Sequence, residues 1–160
     1  MKKIIFTLFA LFLTGCGFRP MYSGTSTDIY VKPISGINGI DLRNALWAKF
    51  GGQHSADAKY TLIVDLDEPI TQYKALEQTG DATWQEVSLV AKYSLLCGDT
   101  QIASGTERVA ESYTFVSYLV ASNAAYNNAV QNAIRVLSEE IGARAIAETY
   151  KYETKSADKQ

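Results

Sequence analysis

The chain has 160 residues, with 15 Lys and Arg against 17 Asp and Glu, and a formal net charge of −2. This length suits one ordinary domain with a buried core. The weakly acidic balance argues against a nucleic-acid-binding protein, which would usually carry a basic excess. Two cysteines and one histidine give no cluster with metal-ligand spacing, so we expect neither a metal nor a cofactor.

The N-terminus has the pattern of a bacterial lipoprotein signal peptide. Two lysines precede the apolar residues 4–13, a stretch far shorter than the roughly 20 apolar residues of a membrane span. Gly15 and Cys16 follow, and a small residue before a cysteine is typical of the lipidation site. We therefore predict that residues 1–15 are removed and that Cys16 carries lipid. The alternatives are an ordinary secretory signal with a chance cysteine, or an uncleaved anchor.

Removing those 15 residues would leave 145 residues with 13 basic and 17 acidic side chains, a net charge of −4. Residues 16–27 contain Pro20 and a Ser/Gly/Thr run, which predicts a linker between lipid and domain. Residues 29–31 then read as a short strand. Residues 40–50 read as a helix that Asp41 would cap.

Strands with clear alternation follow. Residues 60–66 alternate apolar and polar side chains until Pro69, and residues 73–81 read as polar turn material. Two longer alternating segments, 82–96 and 102–115, flank a hairpin turn. The last elements are a helix at 118–150 and a polar tail at 151–160.

This order predicts an α+β fold, a two-layer sandwich with a four-stranded sheet and two helices packed on one face. Residues 28–150 would form this single domain. The face of the sheet away from the helices would be open to water or to a partner.

The search for catalytic motifs finds little. His54 is the only histidine, and the G-x-S-x-G, H-E-x-x-H and C-x-x-C patterns are all missing from the sequence. We therefore expect no enzyme, with a small hydrolase that uses His54 as the alternative. Asp65, Asp67 and Glu68 could hold a cation, but a solvated strand end is the more ordinary reading. Cys97 is either a partly buried apolar side chain or a thiol that pairs with another protein.

One group of side chains could bind a ligand. Trp84, Lys92 and Arg108 all point from strand positions that we assign to the open face. A basic and aromatic patch suits an anionic amphiphile, because the cations pair with phosphate and the ring contacts an acyl or sugar surface. The alternative is an exposed face with cross-strand charge pairs, such as Glu86 with Arg108.

The segment Cys16-Gly17-Phe18-Arg19-Pro20-Met21-Tyr22 resembles the start of mature LPS-assembly lipoproteins of the LptE family, especially the alphaproteobacterial branch. There the pattern is C-G-F-[RQ]-P-L-Y, and Met21 replaces the leucine. The order of strands and helices is also similar to that family. Gly17 stands where Asp would retain a lipoprotein at the inner membrane, so the resemblance implies the outer membrane.

The resemblance implies a binding and structural role without catalysis. Such proteins act as a plug and assembly aid for an LptD-type outer-membrane β-barrel, which delivers lipopolysaccharide to the outer leaflet. By this resemblance the chain would be lipid-anchored on the periplasmic face and would contact lipopolysaccharide through basic residues of its sheet. The candidates, chosen by their positions on the sheet, are Lys92 and Arg108, with Trp84 as the aromatic member of the patch. An accessory lipoprotein of another envelope lipid-transport system is the alternative.

Overall fold

The computed structural model describes residues 28–76, 82–115 and 118–157. Predictions about the signal peptide, Cys16 and the linker lie outside this part of the chain. The elements are, in order, β1 (Ile29–Val31), α1 (Ile37–Lys49), β2 (Tyr60–Leu66), β3 (Ile70–Leu76), β4 (Ala82–Cys97), β5 (Thr100–Thr114) and α2 (Leu119–Ala157).

One sheet is built around β4. β5 pairs antiparallel with β4 along nearly its whole length, from Trp84 opposite Thr114 to Cys97 opposite Thr100. On the other side of β4, β2 and β3 lie end to end, both antiparallel to it. β1 pairs parallel with β2 and completes the sheet. The predicted α+β sandwich is confirmed, and the sheet is four strands wide although it contains five strands.

The additional strand corrects the prediction for residues 70–76. Pro69 was expected to end the strand, and residues 73–81 were expected to form a turn. Instead the strand is interrupted only at 67–69, where the Asp67 N–H donates to the Val90 carbonyl at 2.9 Å. Pairing with β4 resumes at Ile70, opposite Ser88. Proline lacks an N–H, so it is tolerated at such an interruption but not inside the ladder.

The first helix begins three residues earlier than predicted, and Asp41 does not cap it. Gly36 precedes the helix with φ 81°, a backbone conformation that glycine adopts without strain. The Asp41 carboxylate instead accepts a hydrogen bond of 2.8 Å from Nε2 of Gln131 in α2. The interaction joins the two helices of the covering layer.

Both helices pack on one face of the sheet. The side chains of that face alternate along the strands, as in β4, where Val87, Leu89 and Leu95 are fully buried. From α2, Leu137 and Ile141 complete the same core. At one end of the core, the Tyr113 hydroxyl donates to Oε1 of buried Gln85 at 2.5 Å, which satisfies both polar groups.

The second helix is 39 residues long and continues to Ala157, so the tail predicted from residue 151 is helical as far as it is described. Glu153 holds this end against β2, since its Oε1 accepts from Lys59 Nζ at 2.5 Å and from the Tyr60 hydroxyl at 2.9 Å. Both hydrogen bonds lower the pKa of Glu153, and the bond from Lys59 is the larger cause. The contact with Glu153 in turn raises the pKa of Lys59.

Within the described ranges, no helix combines the length and the apolar character that crossing a membrane requires.

Candidate functional site

The two cations predicted for the open face lie next to each other on it. Lys92 of β4 is directly opposite Thr106 of β5, and Arg108 is opposite Val90. The two are therefore diagonal neighbours, a relation that places Cα atoms about 7–8 Å apart in an antiparallel pair. Both side chains are exposed. The structure thus brings together two members of the predicted patch.

Their electrostatic surroundings differ. Lys92 Nζ lies 3.8 Å from an Asp67 carboxylate oxygen, and Asp65 is opposite Lys92 in the register with β2. Arg108 makes no ion pair or hydrogen bond with any residue that the structure describes. Arg108 is therefore the cation of this face that is available to an anionic group without breaking an internal contact.

The cross-strand pair expected as an alternative does not form. Glu86 is opposite Ser112, four residues along β5 from Arg108. Its carboxylate instead forms an ion pair with Lys74 Nζ at 2.9 Å. The partner of Glu86 comes from β3, the strand that the sequence pattern did not reveal. This pairing leaves Arg108 free on the face.

Trp84 is not part of the same patch. It lies on β4 eight residues from Lys92, which corresponds to about 26 Å at the rise of an extended strand. It is opposite Thr114 at the far end of the hairpin and is 51% exposed. The structure therefore does not bring Trp84 together with Lys92 and Arg108.

Trp84 instead belongs to an exposed apolar group at one end of the molecule, which we call the apolar tip. Its members are large side chains 42% to 84% exposed around the end of β5 and the start of α2: Trp84, Phe115, Tyr118, Leu119 and Val120. Sequence reasoning missed this group because the run 118–120 was assigned to the start of an amphipathic helix. The available signal was the run of three large apolar side chains, Tyr118-Leu119-Val120, at the start of that helix, because consecutive residues of a helix cannot all face the core.

The opposite end, which we call the base, contains the only histidine. His54 Nε2 is 3.1 Å from the Phe50 carbonyl, and Nδ1 is 3.5 Å from an Asp28 carboxylate oxygen. Asp28 in turn accepts from the Lys59 backbone N–H at 2.8 Å. Both ring nitrogens therefore face structural partners that join α1, β1 and the start of β2.

The remaining chemical candidates are also accounted for. Cys97 is partly exposed and packs against the core at the end of β4. Among the residues described, no group of three or more His, Cys, Asp or Glu side chains has the arrangement of a metal site. The site that this domain offers is therefore a surface: the open face with Arg108 and Lys92, and the apolar tip beyond it.

No protein-family model and no curated protein matches the chain. Solved structures do. Rare lipoprotein B from Shewanella oneidensis superposes with a TM-score of 0.63 at 11% identity, covering 78% of this chain and 98% of that one. A protein from Caulobacter crescentus CB15, provisionally named a lipoprotein, gives 0.63 at 18% identity, with 81% and 93% covered.

A minor lipoprotein from Acinetobacter baumannii gives a TM-score of 0.58 at 16% identity, covering 77% of this chain and 93% of that chain. The chain has the fold of these small lipoproteins. At these identities the likeness concerns the fold alone, and the described domain corresponds to nearly the full length of each of these structures.

Proposed function

We propose that this protein is an outer-membrane lipoprotein that forms a complex with an LptD-type β-barrel. In that complex it would act as plug and assembly aid for the insertion of lipopolysaccharide into the outer leaflet. The observation that carries the proposal is the shared fold with rare lipoprotein B, taken with the resemblance of the N-terminal segment to the LptE family. The Cys16-Gly17-Phe18-Arg19-Pro20 segment supports it as well, because it resembles the start of mature LptE-family proteins.

The described surface suits this role. A plug in a water-filled barrel needs a compact domain whose outward surface is polar, and the open face of the sheet carries Lys92, Arg108 and several Ser and Thr side chains. Nothing in the described arrangement resembles a nucleophile with its base, so we infer a role in binding rather than catalysis.

The decisive experiment is a detergent pull-down of the intact lipoprotein from its own envelope. We expect a large β-barrel of the lipopolysaccharide-translocon type in stoichiometric amount. The variant Cys16→Ser should move the protein to the soluble fraction, because acylation supplies the membrane affinity. Recovery of the lipoprotein alone, or with an inner-membrane transporter, would favour the accessory role in another lipid-transport system.

Direct binding of lipopolysaccharide is a separate part of the proposal. We infer that Arg108, with Lys92 beside it, receives a phosphate of the ligand through charge-assisted hydrogen bonds. Arg108→Glu should weaken lipopolysaccharide binding about 10-fold or more, since a repulsive charge replaces an attractive one. The matched control is Arg135→Glu, the same charge reversal at an exposed arginine of α2, away from the open face. Equal binding by Arg108→Glu and wild type would remove this site.

A further inference from the structure

The two edges of the sheet are protected to different extents. On one side the edge is formed by two strands. β1 is only three residues long, and Arg43 Nε donates to its Val31 carbonyl at 3.2 Å. β3 carries Lys74 and has two register shifts against β4, and a lysine and a bulge are both common protections of an edge strand. β5 forms the other edge over 15 residues. Short edge strands and covering side chains are the usual protections against further pairing. β5 is not short, and no side chain of the described residues bonds to its outward backbone groups.

The backbone of β5 has a defined set of groups that point outward. The Val90 carbonyl accepts from Asp67 on the far side of β4, so the Val90–Arg108 pair is not hydrogen-bonded. The N–H and C=O of Arg108 therefore point away from β4. By alternation, the outward set comprises Ser104, Thr106, Arg108, Ala110, Ser112 and Thr114.

None of these outward groups has a backbone partner within the parts of the chain that are described. The strand also contains no proline and no lysine, the residues that commonly block an edge. Its register with β4 shifts only near the hairpin turn, between Leu95 and Leu96, so the rest of the edge is regular. A regular row of alternating donors and acceptors is complementary to the backbone of another extended strand.

The side chains along this edge indicate what sequence the added strand would carry. The outward residues are small or hydroxylic apart from Arg108, which has no described partner and has Lys92 beside it on the sheet. An acidic side chain opposite Arg108 would form a favourable cross-strand pair. Glu107 does not oppose this, because its carboxylate lies on the helix side and accepts from Arg144 Nε at 2.8 Å.

A second copy of the chain is a poorer occupant. In a dimer, β5 could pair antiparallel with β5 of the second copy over its full length, with the helices of both copies on the same side of the sheet. The centre of that pairing is residue 107, the middle residue of the strand. That register would place Thr106 of the other copy opposite Arg108, so a second copy supplies no acidic side chain to this cation.

We propose that the outer edge of β5 accepts an extended segment of a partner protein as an additional strand, with an acidic residue of that segment beside Arg108. This inference concerns a partner's backbone and does not depend on lipopolysaccharide binding or on the identity of the barrel.

The test uses the full lipidated chain in detergent and a nine-residue probe peptide of alternating Thr and Val with a central Glu. Hydrogen–deuterium exchange mass spectrometry is expected to show slower exchange of up to six amides within residues 104–114. The odd-numbered amides should not change, because they already bond to β4. The same peptide with its central Glu replaced by Lys should bind about 10-fold more weakly.

Two further comparisons make the result decisive. Ala110→Pro removes one outward N–H without removing a bond to β4, and should weaken the peptide about 10-fold or more, whereas Ala110→Val keeps the N–H and should bind normally. A peptide N-methylated at alternate residues keeps its side chains and tests the backbone requirement without altering the protein. Equal binding of the N-methylated peptide, or no protection within 104–114, would overturn the proposal. So would a dimer in light scattering with these amides already protected.

Discussion

The two faces of the sheet are made from the same strands but are used differently. On β4, Leu89 is completely buried under the helices, while the next residue, Val90, is only partly buried and points to the open face. The covered face is apolar almost without interruption and joins both helices and every strand except β3 into one core. The open face holds exposed Lys92 and Arg108 among small polar side chains.

Because of this difference, we expect substitutions on the covered face to change the stability of the fold and substitutions on the open face to change the binding of a ligand or partner. A covered residue is fixed by its neighbours' volumes, because protein interiors are close-packed. A residue of the open face has few contacts to lose, so the fold does not dictate its side chain, and that side chain can instead suit a ligand or partner. The comparison can be tested residue by residue along β4 and β5.

The largest effect is expected for Leu89→Ala in the covered face. Truncating a fully buried leucine leaves a cavity and should lower the free energy of unfolding by about 2–5 kcal/mol. The matched control is Val90→Ala, the next residue on the same strand but on the open face, which should cost about 1 kcal/mol or less. Urea unfolding of the soluble Cys16→Ser chain measures both. Equal losses would contradict the distinction between the faces.

A smaller loss is expected for Gly105→Ala in β5. A Cβ at this position would lie 2.7 Å from the Tyr93 hydroxyl oxygen and 2.9 Å from its ring, so the buried tyrosine would have to shift. We expect a loss of about 1–3 kcal/mol in thermal or urea unfolding. Ser104→Ala, one residue away on the open face, should change stability by no more than about 0.5 kcal/mol.

A double variant identifies the cause of that loss. In a Tyr93→Leu background the same glycine substitution should cost less, because the clashing ring is gone and neighbouring effects do not add. An unchanged cost in this background would place the strain elsewhere.

Glu153, near the exposed end of α2, should contribute a smaller and pH-dependent part of the free energy of unfolding. Since the folded state lowers the pKa of Glu153, its contribution to stability is present above the usual value of 4.5 and is lost as the pH falls through the lowered folded value. Lys59→Met should reduce this acid dependence more than Tyr60→Phe, because the lysine contact is the larger cause. Urea unfolding between pH 7 and pH 3 tests the order, and the reverse order would contradict it.

The smallest effect on stability is expected for Arg108→Glu and Lys92→Glu. Arg108 loses no described contact, and Lys92 loses one exposed ion pair of 3.8 Å, so each change should stay within about 0.5 kcal/mol. The same preparations should bind lipopolysaccharide more weakly. A loss of stability as large as that of Leu89→Ala would show that these cations hold the fold rather than a ligand.

Alternation is the part of the fold that the sequence predicts well. Residues 60–66 and the two long strands alternate because one face is buried, and that parity also places Lys92 and Arg108 on the open face. β3 escaped prediction because no helix covers it, so Tyr73 stays exposed and the segment has no apolar period. It forms a strand because the first half of β4 offers it an edge.

The register between β4 and β5 could not be predicted from the sequence, for a different reason. The turn around Gly98 and the shift beside Leu95 together decide that Arg108 lies opposite Val90 rather than near Glu86. A shift of one residue is not visible in composition or periodicity. The distance from Trp84 to Lys92 was likewise implicit in the strand length, but grouping by face alone ignored it.

Both ends of the described chain lie at the base. Asp28 binds the backbone of Lys59, and the side chain of Lys59 reaches Glu153 near the end of α2. The apolar tip is separated from them by the length of β4, about 50 Å for 16 residues. A spectroscopic label near Ala157 would therefore report from the end of the domain where Asp28 lies, and a second label at Tyr118 from the remote end. Such a pair would read out the orientation of the domain relative to the membrane in intact cells.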